Sequence, residues 1–168
     1  YRDIAAPTGT VIEKDIDLYF IGSDKGRLDQ LIEIQKSAES AGLKCHFHIT
    51  PSKRYQYTQE QEAYLSKKHV SYEDNLALAR RAHCLLEIVQ ANQSGPTIRA
   101  MEASFLNCKL MTNRIHAQDQ PDYAPDRIWV FDEVTPDRIQ GFIRRRHQTL
   151  SPDTLMQHDI RHWWKNFI

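Results

Sequence analysis

The sequence lacks the features that mark several classes of protein. Its three cysteines (Cys45, Cys84 and Cys108) stand far apart without a CxxC pair, which excludes a disulfide framework and a zinc knuckle and favours buried thiols in a reducing compartment. Long apolar runs are also missing, since stretches such as residues 84–86 fall far short of the about 20 residues that a membrane-spanning helix needs. No signal peptide follows Tyr1, and we expect the sequence to be one domain of a longer, cytoplasmic protein.

An excess of charge of either sign is absent as well. The sequence has 22 Lys and Arg against 22 Asp and Glu, so its formal net charge is zero. Proteins that bind nucleic acid in general carry a basic excess that displaces counterions, and the composition therefore predicts no nucleic-acid partner. What is present, 40% hydrophobic and 26% charged residues over 168 positions, is typical of one globular domain with a core.

Segments with strand composition alternate with segments of helical period after residues 1–15, which are typical of a linker. The predicted strands cover residues 15–21, 45–49, 84–89, 109–112 and 128–131. The predicted helices begin near Arg27, Ser71, Thr97 and Thr135, and a weaker short helix covers residues 60–65. This alternation implies right-handed crossovers. The predicted fold class is α/β, a Rossmann-like three-layer α/β/α sandwich with a mostly parallel sheet, formed as one domain by residues 16–168.

Ligands of such sheets bind beyond the carboxyl ends of the strands, where two loops carry candidate residues. The first loop contains Gly22, Ser23, Lys25, Gly26 and Arg27. Its glycines allow a close approach of the backbone, and its two cations beside a helix N-terminus favour phosphate. The loop matches neither the P-loop nor the GxGxxG pattern, so a plain turn with solvated basic side chains is the alternative.

The second loop, residues 90–97, joins a predicted buried strand to the next helix. Pro96 is preset for a first helical turn, and Ser94 or Gly95 is the predicted cap. The amide groups at this helix start make a second candidate site for an anion. In the helix itself, Ile98, Met101 and Phe105 form the predicted inward stripe.

Glu102 lies about 40° from Ile98 on the helical wheel, so its carboxylate is predicted to point near the core. A carboxylate in such a place needs a partner, because an unpaired buried charge costs several kcal/mol. The vicinal hydroxyls of a ribose would serve, with the phosphates of the same nucleotide at the helix start. The alternative is a salt bridge to Arg99, three residues earlier, or to Arg80 or Arg81.

The sequence resembles the C-terminal half of bacterial GT-B glycosyltransferases, in particular those that build capsule, exopolysaccharide or lipopolysaccharide. The resemblance covers roughly residues 16–113 and is carried by segments 20–27, 70–74, 84–90, 93–103 and 109–112. Its most specific part is the S-G-x-T-x-R-x-x-E-A run from Ser94 to Ala103. Many retaining members carry a glutamate pair spaced E-x7-E, whose first position is occupied here by Ser94.

The resemblance implies that this half binds a nucleotide-sugar donor as a substrate, without a resident cofactor. It implies that Glu102 holds the donor ribose and that the 94–97 turn meets the diphosphate together with Arg27 or Lys25. The acceptor would bind to an N-terminal domain of the same parent protein, so the chain alone is not expected to catalyse transfer. The predicted donor site comprises Gly22, Ser23, Lys25, Gly26, Arg27, Gln93, Ser94, Gly95, Thr97, Arg99 and Glu102.

A non-catalytic nucleotide-binding or protein-interaction module on the same scaffold is the alternative from another class. The pairs His46 with His48 and His158 with His162 have no third ligand at a useful spacing, so no metal site is predicted. Glu87 stands inside an apolar strand, either as a buried partner of a cation near the site or as an edge-facing side chain.

The C-terminal residues 158–168 are aromatic and partly basic, and residues 144–147 before them read Arg-Arg-Arg-His. Peripheral contact with the inner face of a membrane is one interpretation of this pattern. The favoured interpretation is a helix that packs on its own domain or on the N-terminal half.

Overall fold

The computed structural model describes residues 12–90, 95, 97–120 and 122–157. The predictions for Gln93 and Ser94, for most of the linker and for residues 158–168 lie outside that part of the chain. Within it, no helix combines the length and the apolar character that crossing a bilayer requires.

Five strands and six α-helices follow one another along the described chain. The strands are β1 (Ile16–Ser23), β2 (Cys45–Thr50), β3 (Ala82–Glu87), β4 (Lys109–Thr112) and β5 (Ile128–Val130). The helices are α1 (Leu28–Ser40), α2 (Gln59–Glu62), α3 (Tyr72–Arg80), α4 (Ile98–Phe105), α5 (Pro136–Arg144) and α6 (Pro152–Gln157). A short 3-10 helix over Ile115–Asp119 connects β4 to the segment before β5.

The strands form one sheet in the order β2-β1-β3-β4-β5, and every pair of neighbours is parallel. Helices α1 and α5 pack on one face, around Leu18, Phe20 and Ile139. Helices α3 and α4 pack on the other face, around Tyr19, Leu85 and Ala103. The predicted α/β class, Rossmann-like with three layers and a parallel sheet, is therefore confirmed.

Local signals set most helix ends where the sequence predicts them. The Ser71 side chain accepts a hydrogen bond from the Asp74 N–H at 3.1 Å and caps α3. The predicted cap of α4, Ser94 or Gly95, is wrong: Thr97 caps that helix by accepting from the Arg99 N–H at 3.1 Å, because the helix starts only at Ile98. Gly42, with φ of 74°, lies just beyond α1, where a left-handed residue ends a helix most easily. Pro136 opens α5 as predicted, although the Thr135 side chain makes no capping bond.

Two strand boundaries differ from the prediction. β1 continues through Gly22 and Ser23, which pair with Ile49 and Thr50 of β2, so these two residues belong to the strand and not to the loop. β3 begins and ends two residues earlier than predicted. The main chain of Val89 bonds instead to the side chain of Asn113, whose Oδ1 accepts from the Val89 N–H at 2.7 Å. Tertiary bonding therefore overrides the apolar composition that predicted a longer strand.

The predicted inward stripe of α4 is wrong. Ile98 is 51% exposed, whereas Glu102 and Ala103 are buried. The helix approaches the sheet through its small residue Ala103, which packs with Leu85 and Leu110. This rotation places the Glu102 carboxylate deeper than the wheel predicted, which is possible because polar partners surround it.

Candidate functional site

The carboxyl ends of the parallel strands meet at one edge of the sheet, which we call the carboxyl edge. The connection that follows β1 leads to β2 on one side, and the connection that follows β3 leads to β4 on the other side. The strand order therefore reverses between β1 and β3. That reversal opens the crevice where ligands of doubly wound sheets bind. The segments around the crevice are the β1–α1 loop, the end of β3 and the start of α4.

A buried aspartate fixes the β1–α1 loop. Asp24 is 2% exposed, and its two oxygens accept bonds from the Arg27 N–H and from the Tyr57 hydroxyl, both at 2.9 Å. Lys25 and Gly26 follow with φ of 49° and 81° and are exposed. A Cβ on Gly26 would lie 2.7 Å from the Tyr55 hydroxyl oxygen, so the position requires glycine for both its backbone and its space.

Arg27 joins the ends of β1 and β3. Its Nη1 donates to the Ile88 carbonyl and its Nη2 donates to the Ser23 carbonyl at 3.1 Å. Its guanidinium lies 5.2 Å from the centre of the Phe20 ring. A Cβ on Gly22 would lie only 3.1 Å from Nη2, so a side chain there would crowd the guanidinium.

The charge of Arg27 meets carbonyls and not a carboxylate. Among the described residues no carboxylate makes an ion pair with it, and its Nε is buried without a hydrogen-bond partner. Burial lowers the pKa of Arg27, and the negative charge of nearby Asp24 partly opposes that shift. The crevice therefore holds a desolvated cation whose counter-charge is incomplete.

Glu87 organises the end of β3. The residue is 3% exposed, and its carboxylate accepts hydrogen bonds from the hydroxyls of Thr97 and Thr112. It also forms an ion pair with Arg114, whose Nε lies 3.3 Å from Oε2. Two interpretations of Glu87 were open, and the structure confirms the first: Glu87 is the buried partner of a cation, Arg114. Because Thr97 is also the N-cap of α4, the same carboxylate ties the start of that helix to the sheet.

Arg114 lies behind this cluster and is 4% exposed. Its Nη1 is buried without a hydrogen-bond partner in the described structure. The residue lines a cavity of about 60 Å³ between α4 and the 3-10 helix, which Ser104 and Gln120 also line. A space of that size has room for ordered water beside a polar group.

Glu102 is fully buried one turn into α4. Its Oε2 pairs with Arg99 Nη1 at 2.6 Å, and its Oε1 accepts a bond from Asn75 at 3.3 Å. Asn75 in turn accepts from the Tyr19 hydroxyl at 3.0 Å, so the network reaches the middle of β1. Burial raises the pKa of Glu102, while Arg99 and the bonds from Asn75 and Tyr72 act in the opposite direction.

The structure thus shows the salt bridge to Arg99 that the sequence offered as one partner of Glu102. Arg81 is engaged elsewhere, with Asp15 at 2.5 Å. A ribose as the partner of Glu102 stays a prediction, and it requires Arg99 to leave Oε2.

The predicted site residues of the two loops and of α4 fall into three groups. Arg27 and Thr97 meet at the end of β3, through Ile88 and Glu87 respectively. Lys25 and Gly95 are exposed, and Arg99 and Glu102 lie inside the α3–α4 interface.

Four residues that organise the edge were not predicted from the sequence, namely Asp24, Asn75, Thr112 and Arg114. Asn75 had a signal, since it stands four residues before the buried Ala79 on the inward face of α3. Among the described residues, no three side chains of the His, Cys, Asp and Glu types come together as a metal site.

The fold and this edge define the chain as a doubly wound, all-parallel α/β domain with the guanidinium of Arg27 at the switch in strand order. Comparison of the sequence with protein-family models and with curated proteins gives no match. Anything finer than the fold class therefore rests on the site residues and on the resemblance.

Proposed function

We propose that this chain binds the nucleoside diphosphate part of a sugar donor at the carboxyl edge. It would act as the donor-binding domain of a glycosyltransferase in the synthesis of bacterial surface polysaccharide or lipopolysaccharide. The sugar donor is a substrate, and the acceptor would bind to a second domain of the same parent protein. The observation that carries the proposal is the incompletely balanced guanidinium of Arg27 at the switch in strand order.

A diphosphate suits Arg27 in charge, because no carboxylate of the described residues pairs with the guanidinium and its Nε has no hydrogen-bond partner there. Guanidinium groups recognise phosphate oxygens through paired N–H donors, and desolvation strengthens the attraction. The carboxylate of Asp24 acts on Arg27 through its charge alone and makes no ion pair with it, since its oxygens accept bonds from a main-chain N–H and from Tyr57. Lys25, exposed on the same loop, adds a second positive charge.

The start of α4 supports the same placement of the phosphates. Helix N-termini favour negative charge through their dipole and their N–H groups. Thr97 at this N-terminus bonds to Glu87, and Arg27 bonds to the next residue, Ile88. The cation and the helix start are therefore adjacent along the end of one strand.

In this proposal the ribose reaches Glu102 only after Arg99 moves. Arg99 is 11% exposed at its side chain, whereas Glu102 is 1% exposed, so Arg99 lies on the solvent side of the pair. Vicinal hydroxyls would then donate to the carboxylate in place of the guanidinium. Asn75 would continue to hold Oε1.

Calorimetric titration with the diphosphates of uridine, guanosine, adenosine and cytidine tests the proposal. We expect at least one to bind, and Arg27→Gln to weaken its binding by about tenfold or more, as loss of a charged hydrogen bond implies. Lys68→Gln, which removes the same charge from an exposed position, is the matched control and should bind as the wild type does. Failure of every diphosphate to bind to folded protein, or equal binding by Arg27→Gln, would contradict the proposal.

The ribose contact has a separate test. Glu102→Gln should weaken binding of the chosen nucleoside diphosphate but leave binding of inorganic pyrophosphate, which has no ribose, unchanged. Equal weakening of both ligands would assign Glu102 a structural role alone.

A protein-interaction module is the second candidate, and exposed apolar side chains at the same edge favour it. Ile98 in the first turn of α4 is 51% exposed, and Ile115 after β4 is 75% exposed. Apolar residues of this kind occur at protein interfaces, although single ones are also common on surfaces. A folded protein that binds none of the four diphosphates would favour this second candidate.

A further inference from the structure

A second charged feature lies at the opposite edge of the sheet. Asp17, His83 and Lys109 stand at the amino ends of β1, β3 and β4, and the segment 144–147 follows the end of α5 beside them. Together these residues line a cleft of about 400 Å³, which we call the amino-edge cleft. Its volume falls within the range of sites for small ligands.

The amino-edge cleft is strongly basic in a chain of zero net charge. Its lining contains four basic residues, Lys109 and the three arginines 144–146, against one carboxylate, that of Asp17. The lining therefore carries a net charge of +3 before either of its histidines is protonated. A cleft lined by one sign of charge concentrates ions of the other sign.

The single carboxylate does not neutralise the cleft. Asp17 pairs with Arg144 at 3.4 Å, and its other oxygen accepts the Lys44 main-chain N–H at 2.8 Å. Arg145 and Arg146 are exposed, and within the described residues neither side chain has an ion-pair partner. Two guanidiniums are thus available to a ligand.

Lys109 holds the arginine segment in place. It is 1% exposed, and its Nζ donates to the carbonyls of Phe142 and Arg145, the latter at 2.5 Å. Its ammonium also lies 4.7 Å from the centre of the Phe142 ring. Since these bonds fix the main chain at the end of α5, the arginines project from an anchored segment.

We propose that the amino-edge cleft binds a multiply charged phosphate group through Arg145 and Arg146. Adjacent guanidiniums offer paired donors to phosphate oxygens, and such recognition exceeds the attraction of a single point charge. The phosphate belongs either to a soluble anion or to a lipid headgroup, since both present the same chemistry. The site is separate from the donor site, because the two lie at opposite ends of the strands.

Inorganic pyrophosphate, followed by ¹⁵N–¹H NMR of the whole chain, tests the location. We expect shifts of the amides at the amino ends of β1, β3 and β4 and in segment 144–147. Shifts at the β1–α1 loop and α4 report the donor site separately, so failure of one site is distinguishable from failure of the other. Absence of shifts at the amino edge up to millimolar pyrophosphate would overturn the proposal.

Charge reversal tests the residues. Arg145→Glu with Arg146→Glu should weaken the amino-edge binding by tenfold or more. Lys67→Glu with Lys68→Glu makes the same change of net charge at exposed positions between α2 and α3 and should alter that binding less than twofold. Both doubles should keep the wild-type melting temperature, because none of the four side chains has an ion-pair partner in the described structure. Equal weakening by the two doubles would show general attraction and overturn a built site.

Vesicle sedimentation separates the two sources of phosphate. Amino-edge pyrophosphate shifts together with binding to phosphatidic acid vesicles but not to phosphatidylcholine vesicles, lost in the Arg145/Arg146 double, would assign the site to a lipid headgroup that carries a phosphate monoester. Amino-edge pyrophosphate shifts without vesicle binding would assign it to a soluble anion. Without the pyrophosphate shifts the proposal fails, whatever the vesicles bind.

Discussion

Buried charged residues have different partners at the two edges of the sheet. At the carboxyl edge, buried carboxylates pair with arginines, as in Glu87 with Arg114 and Glu102 with Arg99. At the amino edge, buried cations bond mainly to carbonyl oxygens: Lys109 to that of Arg145, and Arg127 to that of Gln148 at 2.8 Å. A chain of zero net charge thus has an internally neutralised edge and an edge with surplus positive charge.

The direction of the helices explains the difference. The helices that pack on a parallel sheet begin at its carboxyl edge and end at its amino edge, so unsatisfied carbonyls collect at the latter. Carbonyls at helix ends attract cations, whereas helix starts favour acids. Arg27 is the exception, a cation held by carbonyls at the carboxyl edge, and for that reason it is the centre of the proposed donor site.

We expect the greatest change in stability on removal of a carboxylate at the carboxyl edge, and we compare it with removal of one at the amino edge. Glu87→Ala leaves Arg114 buried without its counter-charge and should lower the free energy of unfolding by about 3–5 kcal/mol. Asp17→Ala frees Arg144, which is 58% exposed at its side chain, and removes the acceptor of one N–H, so a loss of about 1 kcal/mol is expected. Urea unfolding measures both losses of free energy, and equal losses would contradict the difference between the two edges.

The second effect is a pH dependence at Glu102. Because its folded-state pKa is raised above 4.5, the folded protein holds this proton more tightly than the unfolded chain does. The stability that Glu102 contributes is therefore complete below pH 4.5 and declines as the pH rises through the folded-state pKa. The free energy of unfolding of the wild type minus that of Glu102→Gln should fall over this range, by at most about 1.4 kcal/mol per pH unit.

Urea unfolding of both proteins between pH 4 and pH 7 measures this difference. A difference that stays constant, or grows with pH, would contradict the dominance of burial over the Arg99 pair.

The smallest effect compares two glycines. Gly26→Ala at the carboxyl edge meets the Tyr55 hydroxyl and needs a φ of 81°, so a loss of about 1–2 kcal/mol is expected. Gly141→Ala lies inside α5 with no atom within 4 Å of the new Cβ and should raise stability by about 0.5–1 kcal/mol. Thermal unfolding of both variants measures the contrast, and a stabilised Gly26→Ala would show that the loop does not depend on its glycine.

Much of the fold follows from local patterns. Ser71, Gly42 and Pro136 mark helix ends by chemistry that acts within a few residues, and the alternation of strands and helices predicts the class. The inward stripe predicted for α4 from helical periodicity is wrong. A helical wheel places apolar residues inward and takes no account of polar partners such as Asn75 and Arg99, which allow Glu102 to be buried.

The candidate site was predictable only in part. Arg27 and Glu87 were recognisable from their type and position, but their partners lie far along the chain. Arg27 bonds to Ile88, 61 residues away, and Glu87 to Arg114, 27 residues away. No local pattern links such residues.

Composition and local patterns account for the balance of charge, the order of the elements and most of their ends, because caps, turns and periodicity act between near neighbours. Which charges are paired and which are left over depends instead on contacts between residues far apart in the chain. The strand order places β1 beside β3 and the helix ends along opposite edges, and these long-range placements choose a carboxylate for one cation and a carbonyl for another.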